Sequence, residues 1–266
     1  MRVLILLLAS ACGRIDFDAR VDASGVGVTD GTDSSSQFCT PGAASGCPAG
    51  AIFCDDYEAS SGPTFPAWDR VLIGNWNTAG PADPATTLRA DGLPCRGARA
   101  AHGHDVGSAQ AVYTETVIAP LQTPFYVRLW FRIAATSPQN DFELVGLHDS
   151  IDSAFVHIGV SRAAKALTIN AANFTTALGG MQGMATLLVD TWQCMQMQWA
   201  FDATPNGSLD ILVDGTSVIH AVNVVTEGSQ PMSQLIVGTI SGLGETGTYD
   251  VDIDEVAVSG LPIACN

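Results

Sequence analysis

From Ala51 to the carboxyl end, apolar and polar positions alternate in short runs, broken roughly every eight to twelve residues by Gly, Pro, Asn or Asp. Phe125, Val127, Leu129, Phe131 and Ile133 share one face of a period-two run, and Tyr126, Arg128, Trp130 and Arg132 share the other. That pattern predicts a half-buried strand. Residues 154–160 alternate likewise, with Val156, Ile158 and Val160 inward and Phe155 and His157 outward. Met195, Met197, Trp199 and Phe201 line one side of the next run, opposite Cys194, Gln196 and Gln198. Leu209, Ile211 and Val213 lead into Asp214-Gly215, which predicts a two-residue type I′ hairpin because both residues tolerate positive φ. Further strands are predicted near 217–224, 232–239 and 248–258. In the last of these the apolar parity switches between Ile253 and Val256, which predicts a β-bulge at Asp254-Glu255. No segment sustains helical periodicity over about twelve residues, and no apolar run is long enough to span a bilayer as a helix. The prediction is an all-β, two-sheet antiparallel β-sandwich over residues 51–266, ample for one core.

The amino terminus reads differently. Arg2, the apolar run Val3 to Leu8, small residues Ala9-Ser10-Ala11 and then Cys12 predict an export signal over residues 1–11. The segment resembles the bacterial lipoprotein signal: Ser10, Ala11 and Cys12 match its lipobox, while Ala9 stands where Leu is commoner. The resemblance implies acylation of Cys12 and a lipid anchor. With Gly13 rather than Asp next, it implies a bacterial outer membrane lipoprotein, facing either the periplasm or the cell surface. A plain secretory signal with an incidental cysteine is the alternative. Residues 12–50, rich in Gly, Ser, Thr, Asp, Ala and Pro, predict a flexible linker.

Charge and cysteine content narrow the function classes. Lys and Arg total 11 against 27 Asp and Glu, a net charge of -16. Such a surface repels nucleic-acid phosphates and anionic lipid headgroups. Beyond Cys12 there are Cys39, Cys47, Cys54, Cys95, Cys194 and Cys265. An even set in an exported chain predicts three disulfides whose connectivity composition leaves open, although Cys39 and Cys47 bracket a stretch that can close a small loop. There is no C-x-x-C, G-x-S-x-G, H-E-x-x-H or phosphate-cradling glycine loop. His102 and His104 share a strand face with no third ligand apparent, so no metal and no cofactor is expected, and calcium is unsupported.

Three segments resemble the concanavalin A-like lectin/glucanase superfamily, particularly its laminin-G-like jelly rolls. Phe53-Cys-Asp-Asp-Tyr-Glu58 looks like the first strand, Asp190 to Asp202 with the later Leu-Val-Asp-Gly215 like a central hairpin, and Val251 to Ser259 with Ile263-Ala-Cys265 like the closing strand. The resemblance implies a jelly roll with a concave and a convex face whose first and last strands are neighbours. It therefore implies Cys54–Cys265, leaving Cys39–Cys47 and Cys95–Cys194. It does not fix a function, since lectins, hydrolases and lyases share the fold.

The outward set Tyr126, Arg128, Trp130 and Arg132, continued by His157, Gln196 and Gln198, predicts a sugar-binding platform of seven residues, with His148 as a further candidate. Aromatic faces stack on pyranose rings, and the polar groups hydrogen-bond hydroxyls. The competing reading is a strand buried on both faces, its arginines paired with carboxylates. Lyases of this architecture neutralise a uronate carboxylate with Arg and an amide and move protons with His or Tyr. Arg128, Gln196, His157 and Tyr126 are of those types. The alginate-lyase signatures R-S/T-E-L-R and Y-F-K-A-G are absent, however, and the acidity opposes a polyanion. Asp250, Asp252 and Asp254 do not form a glucanase E-x-D-x-(x)-E strand and read as structural groups or as weak calcium ligands. With no complete catalytic set, the leading expectation is a non-catalytic carbohydrate-binding or adhesion module on a lipid anchor, with a glycan as partner. The alternatives are a polysaccharide lyase or glycoside hydrolase acting on extracellular glycans, and a structural or protein-interaction scaffold.

Overall fold

The computed structural model describes residues 39, 43–75, 83–106, 110–118, 123–135, 142–149, 155–163, 166–173, 181–182, 187–202, 204, 206–226, 231–241 and 248–265; residues 155–182 within this set are described through strand pairing alone. The predicted signal, the predicted lipidation site Cys12 and residues 13–38 and 40–42 of the predicted linker lie outside the described residues.

Among the described residues the regular structure is all strand. In chain order these are β1 (Phe53–Asp55), β2 (Arg70–Asn75), β3 (Thr87–Arg89), β4 (Ala101–Val106) and β5 (Gln110–Val117). Next come β6 (Phe125–Ile133), β7 (Phe142–Asp149), β8 (Phe155–Ala163), β9 (Ala166–Asn173) and β10 (Met181–Gln182). The last are β11 (Gln193–Ala200), β12 (Gly207–Val213), β13 (Thr216–Val224), β14 (Met232–Ser241) and β15 (Thr248–Ser259). They pair antiparallel into two sheets. The first runs β13-β12-β11-β6-β15-β4-β3, with β1 also on β15; the second runs β10-β9-β8-β7-β14-β5-β2.

The alternation read along the chain maps onto one core between the sheets. Phe125, Val127, Leu129, Phe131 and Ile133 of β6 are buried there with Met195, Met197 and Trp199 of β11 and with Leu147, Leu235 and Val237 from the opposing sheet. Phe125 stacks on Trp199 at a centroid distance of 5.9 Å. Asp214 and Gly215 both take positive φ between β12 and β13, as the type I′ prediction requires. The predicted bulge is present: the β15–β6 register shifts between Asp254 and Ala257, and Glu255 sits at φ 47°. The extra residue keeps Ile253 and Val256 both in the core.

β1 does lie against β15, but the disulfides follow a different pattern: Cys47–Cys54, Cys39–Cys95 and Cys194–Cys265. The inferred pairs Cys54–Cys265, Cys39–Cys47 and Cys95–Cys194 are corrected. Cys54 registers against Ala257, whereas the chain beyond Ser259 turns back across β6 and β11. Arg128 Nη1 donates to the Ala264 carbonyl at 3.2 Å and Gln196 Nε2 to the Ile263 carbonyl at 2.7 Å. This strap, residues 260–265, delivers Cys265 to Cys194. Cys39 and Cys47 are thereby both tied covalently to the sandwich from within the stretch read as linker.

Beneath the strap lies a buried charge cluster built on the β15 bulge. Asp254, fully buried, accepts from the backbone N–H groups of Cys95 at 2.9 Å, Arg96 at 3.2 Å and Glu255 at 2.8 Å. Glu255, also fully buried, pairs with Arg128 at 3.2 Å and Arg96 at 3.9 Å and accepts from the Gly46 N–H. Burial pushes the Asp254 carboxyl up to about 7, against the opposing pull of its backbone donors. The folded state therefore holds a proton that the unfolded chain releases near its ordinary value of 3.8. The stabilising effect of that proton is complete below the unfolded value and is lost as pH rises through the folded one. Its full span is about 4 kcal/mol.

Two outcomes are expected. Non-reducing peptide mapping recovers the three pairs above, and replacing Cys194 and Cys265 together by Ser lowers the unfolding free energy by about 2–5 kcal/mol in denaturant titration. Wild-type stability declines between pH 4 and 7, and Asp254→Asn, measured by the same titration at each pH, shows a shallower decline.

Candidate functional site

β6 and β11 bring six of the seven predicted platform residues together. Gln198 registers against Tyr126, Gln196 against Arg128 and Cys194 against Trp130, with Arg132 two residues beyond Trp130 on β6. The chemistry of this face is nevertheless consumed by the protein. Arg128 is buried between Glu255 and the strap, and burial draws its guanidinium below the ordinary value while Glu255 opposes the change. Gln196 holds the strap carbonyl. Trp130 is fully buried against the cystines, with the Arg96 guanidinium 5.9 Å from its ring centroid. Arg132 bridges Asp252 at 2.8 Å and Asp190 at 2.9 Å. What stays open is a cleft of about 180 Å³ beside the strap, lined by Tyr126, Gln196, Gln198, Leu212, Pro262 and Ile263. Ligand sites for drug-sized molecules run from about 300 Å³ upward. The competing reading, a strand buried on both faces, describes most of this surface.

His157 is not on this sheet. It sits on β8 of the second sheet, registered against Gly146 and Ala172. The predicted lyase set of Arg128, Gln196, His157 and Tyr126 is therefore divided between two sheets, because alternation reports the face of a strand and not the sheet it joins.

The outer face of the second sheet has a different character. Val112, Leu147, Leu235 and Val237 point into the core, which turns Tyr113, Glu115, Gly146, His148, Gln234 and Ile236 outward by alternation. His148 and Gln234 are cross-strand neighbours on β7 and β14. In the next row Arg70, Glu115, Ile236, Gly146 and the His157 position follow one another across β2, β5, β14, β7 and β8. Arg70 lies 3.4 Å from Glu115. Tyr113 registers against Gly238, one row further on. Two register shifts face each other here, at Glu143/Val145 on β7 and Val237/Ile240 on β14. Gly238, at φ 155°, takes up the second; a Cβ there would lie 2.2 Å from the Val112 carbonyl oxygen. A crevice lined by Glu143, Gly146, Ile236, Gly238 and Ile240 lies at this point; it is too narrow to admit a water molecule, and Gly146, Ile236 and Gly238 are buried. Bulges of this kind re-aim side chains beside active sites. Tyr113, Glu115, Glu143 and Gln234 were not singled out from the sequence. The usable signal was the polar row of β5, Tyr113 and Glu115, alternating with buried Val112 and Thr114.

Of the three β15 carboxylates, Asp250 meets His104, Asp252 meets His102 and Arg132, and Asp254 meets backbone donors, so each is engaged within the fold. The hydrogen bond from Asp252 raises His102 above its ordinary value, against the effect of burial. Among the described residues, His102, His104 and Asp250 are the group able to share a metal ion.

No family model and no curated protein matches the chain. Solved structures do. Cellulose-induced protein Cip1 is similar at 14% identity, with 80% of this chain and 100% of that one covered and a TM-score of 0.57. An endo-β-1,4-glucuronan lyase from the fungus Trichoderma reesei is similar at 16% identity, 77% and 95% coverage and a TM-score of 0.54. The marine PL-14 alginate lyase from Aplysia kurodai is similar at 8% identity, 81% and 100% coverage and a TM-score of 0.57. At these identities the likeness establishes the fold alone, a jelly-roll β-sandwich. It also corrects the leading expectation of a non-catalytic adhesion module: neighbours matched over nearly their whole length include polysaccharide lyases, which favours the catalytic alternative.

Proposed function

We propose that the domain is a polysaccharide lyase acting on a uronate-containing glycan at the outer face of the second sheet. The observation that carries this reading is the pairing of His148 with Gln234 on that face, one row from the His157 position. The glucuronan and alginate lyases among the structural neighbours support it. In β-elimination a base removes the C5 proton, the C4–O bond breaks, a C4–C5 double bond forms, and the departing oxygen takes up a proton. The step needs a donor to the uronate carboxylate, for which the Gln234 amide is suited. It also needs groups that exchange protons, for which His148 and Tyr113 are suited. The three disulfides support a site of action outside a reducing compartment, in keeping with an extracellular glycan.

The test is absorbance at 235 nm during incubation with alginate and glucuronan. The unsaturated product absorbs there, and His148→Ala and Gln234→Ala are expected to slow its appearance by about a hundredfold or more while leaving the melting temperature close to wild type. No absorbance on either polymer, or full activity in both variants, overturns the reading. A net charge of -16 also repels a polyuronate. Because salt shortens the screening length from about 30 Å at 0.01 M to about 8 Å at 0.15 M, KM is expected to fall as salt is raised across that range.

A further inference from the structure

His102 and His104 lie two residues apart on β4, and β15 places Asp252 opposite the first and Asp250 opposite the second. The Asp250 Oδ1 atom lies 2.5 Å from His104 Nδ1 and 3.6 Å from His102 Nε2. All three ligand atoms fall within 4.8 Å of one another. In a tetrahedral zinc site with bonds of about 2.0–2.1 Å, ligand atoms stand about 3.3 Å apart, so small side-chain rotations suffice to reach that geometry.

A second observation sets this cluster apart from a chance meeting of side chains. The other nitrogen of His102, Nδ1, is engaged by Asp252 Oδ1 at 2.8 Å, and the second oxygen of Asp252 is held by Arg132 at 2.8 Å. Arg132 is anchored in turn to Asp190. A carboxylate on one imidazole nitrogen fixes the tautomer and leaves the other nitrogen's lone pair for a metal. Asp252 is almost wholly buried and orients the ring, while His102, His104 and Asp250 are each a fifth to a third exposed and accessible to solvent.

We propose that His102, His104 and Asp250 form a binding site for a divalent transition-metal ion, zinc by its donor set, with a fourth position open to water. Two imidazole nitrogens and one carboxylate suit zinc and disfavour calcium, which takes oxygen ligands. The ion clips β4 to the leading half of β15. The site is on the first sheet and is independent of the lyase reading of the second.

The test uses the full chain, stripped with a chelator and then titrated with zinc chloride in a calorimeter. One equivalent is expected to bind, and the melting temperature is expected to rise with zinc concentration. Cobalt(II) is expected to give the visible absorption of a four-coordinate site. His104→Ala and Asp250→Asn remove the zinc-dependent melting shift, Asp252→Asn weakens binding about 10–100-fold, and His220→Ala leaves it unchanged. Because each variant is compared with and without zinc, a lower intrinsic stability does not obscure the result. A wild-type chain that neither takes up zinc nor shifts its melting temperature overturns the proposal. So does a His104→Ala chain that binds as tightly as wild type.

Discussion

Two adjacent carboxylates, Asp254 and Glu255, are buried at one bulge of β15, and the first sheet's outer surface is organised to satisfy them. Removing an ionised carboxylate from water costs several kcal/mol unless donors and counter-charges surround it. Asp254 collects three backbone N–H groups, two of them from the loop at Cys95-Arg96, and holds its proton up to near-neutral pH. Glu255 gathers Arg128 from β6, Arg96 from that loop and the Gly46 N–H from the segment ahead of β1. Three remote stretches thus converge on one bulge, and the cystines Cys39–Cys95 and Cys194–Cys265 fasten the layer over Trp130. Covering these charges occupies Arg128, Gln196 and Trp130, and what remains of the predicted platform is the cleft beside the strap lined by Tyr126 and Gln198.

The same constraint explains what the sequence could and could not disclose. Alternation located β6, β11, β12 and β15 and their inward faces, because a strand with one face in a core has no other stable parity. The parity switch after Ile253 located the bulge for the same reason. Alternation is silent about what covers an outward face. Arg128, Trp130 and Gln196 have the composition of a binding surface, and only the return of residues 260–265 across them, from the far end of the chain, converts them into structural groups. The disulfides eluded inference likewise: strand adjacency placed β1 by β15 correctly, but the partner of Cys265 is decided by the path of the strap after β15 ends.

His157 shows a further limit. Its sheet was not readable, since consecutive strands in a sandwich either continue one sheet or cross to the other. β6 and β7 are consecutive in sequence and lie in different sheets. Grouping His157 with Arg128 therefore mixed two surfaces. With β8 assigned to the second sheet, the position of His157 falls beside Gly146, in the row adjoining His148 and Gln234.

That redistribution also answers the charge objection to an acidic chain acting on a polyanion. The carboxylates of β15 are engaged with His102, His104, Arg132 and backbone donors on the first sheet, leaving mixed polarity on the second, where Arg70 stands against Glu115 and His148 against Gln234. Net charge acts at long range and is screened by salt, whereas recognition of one uronate carboxylate depends on donors within hydrogen-bond reach, which salt screens far less. An excess of distant acid then slows encounter more than it weakens the docked complex, so an acidic net charge is physically compatible with a polyuronate substrate where the donors lie together on one face.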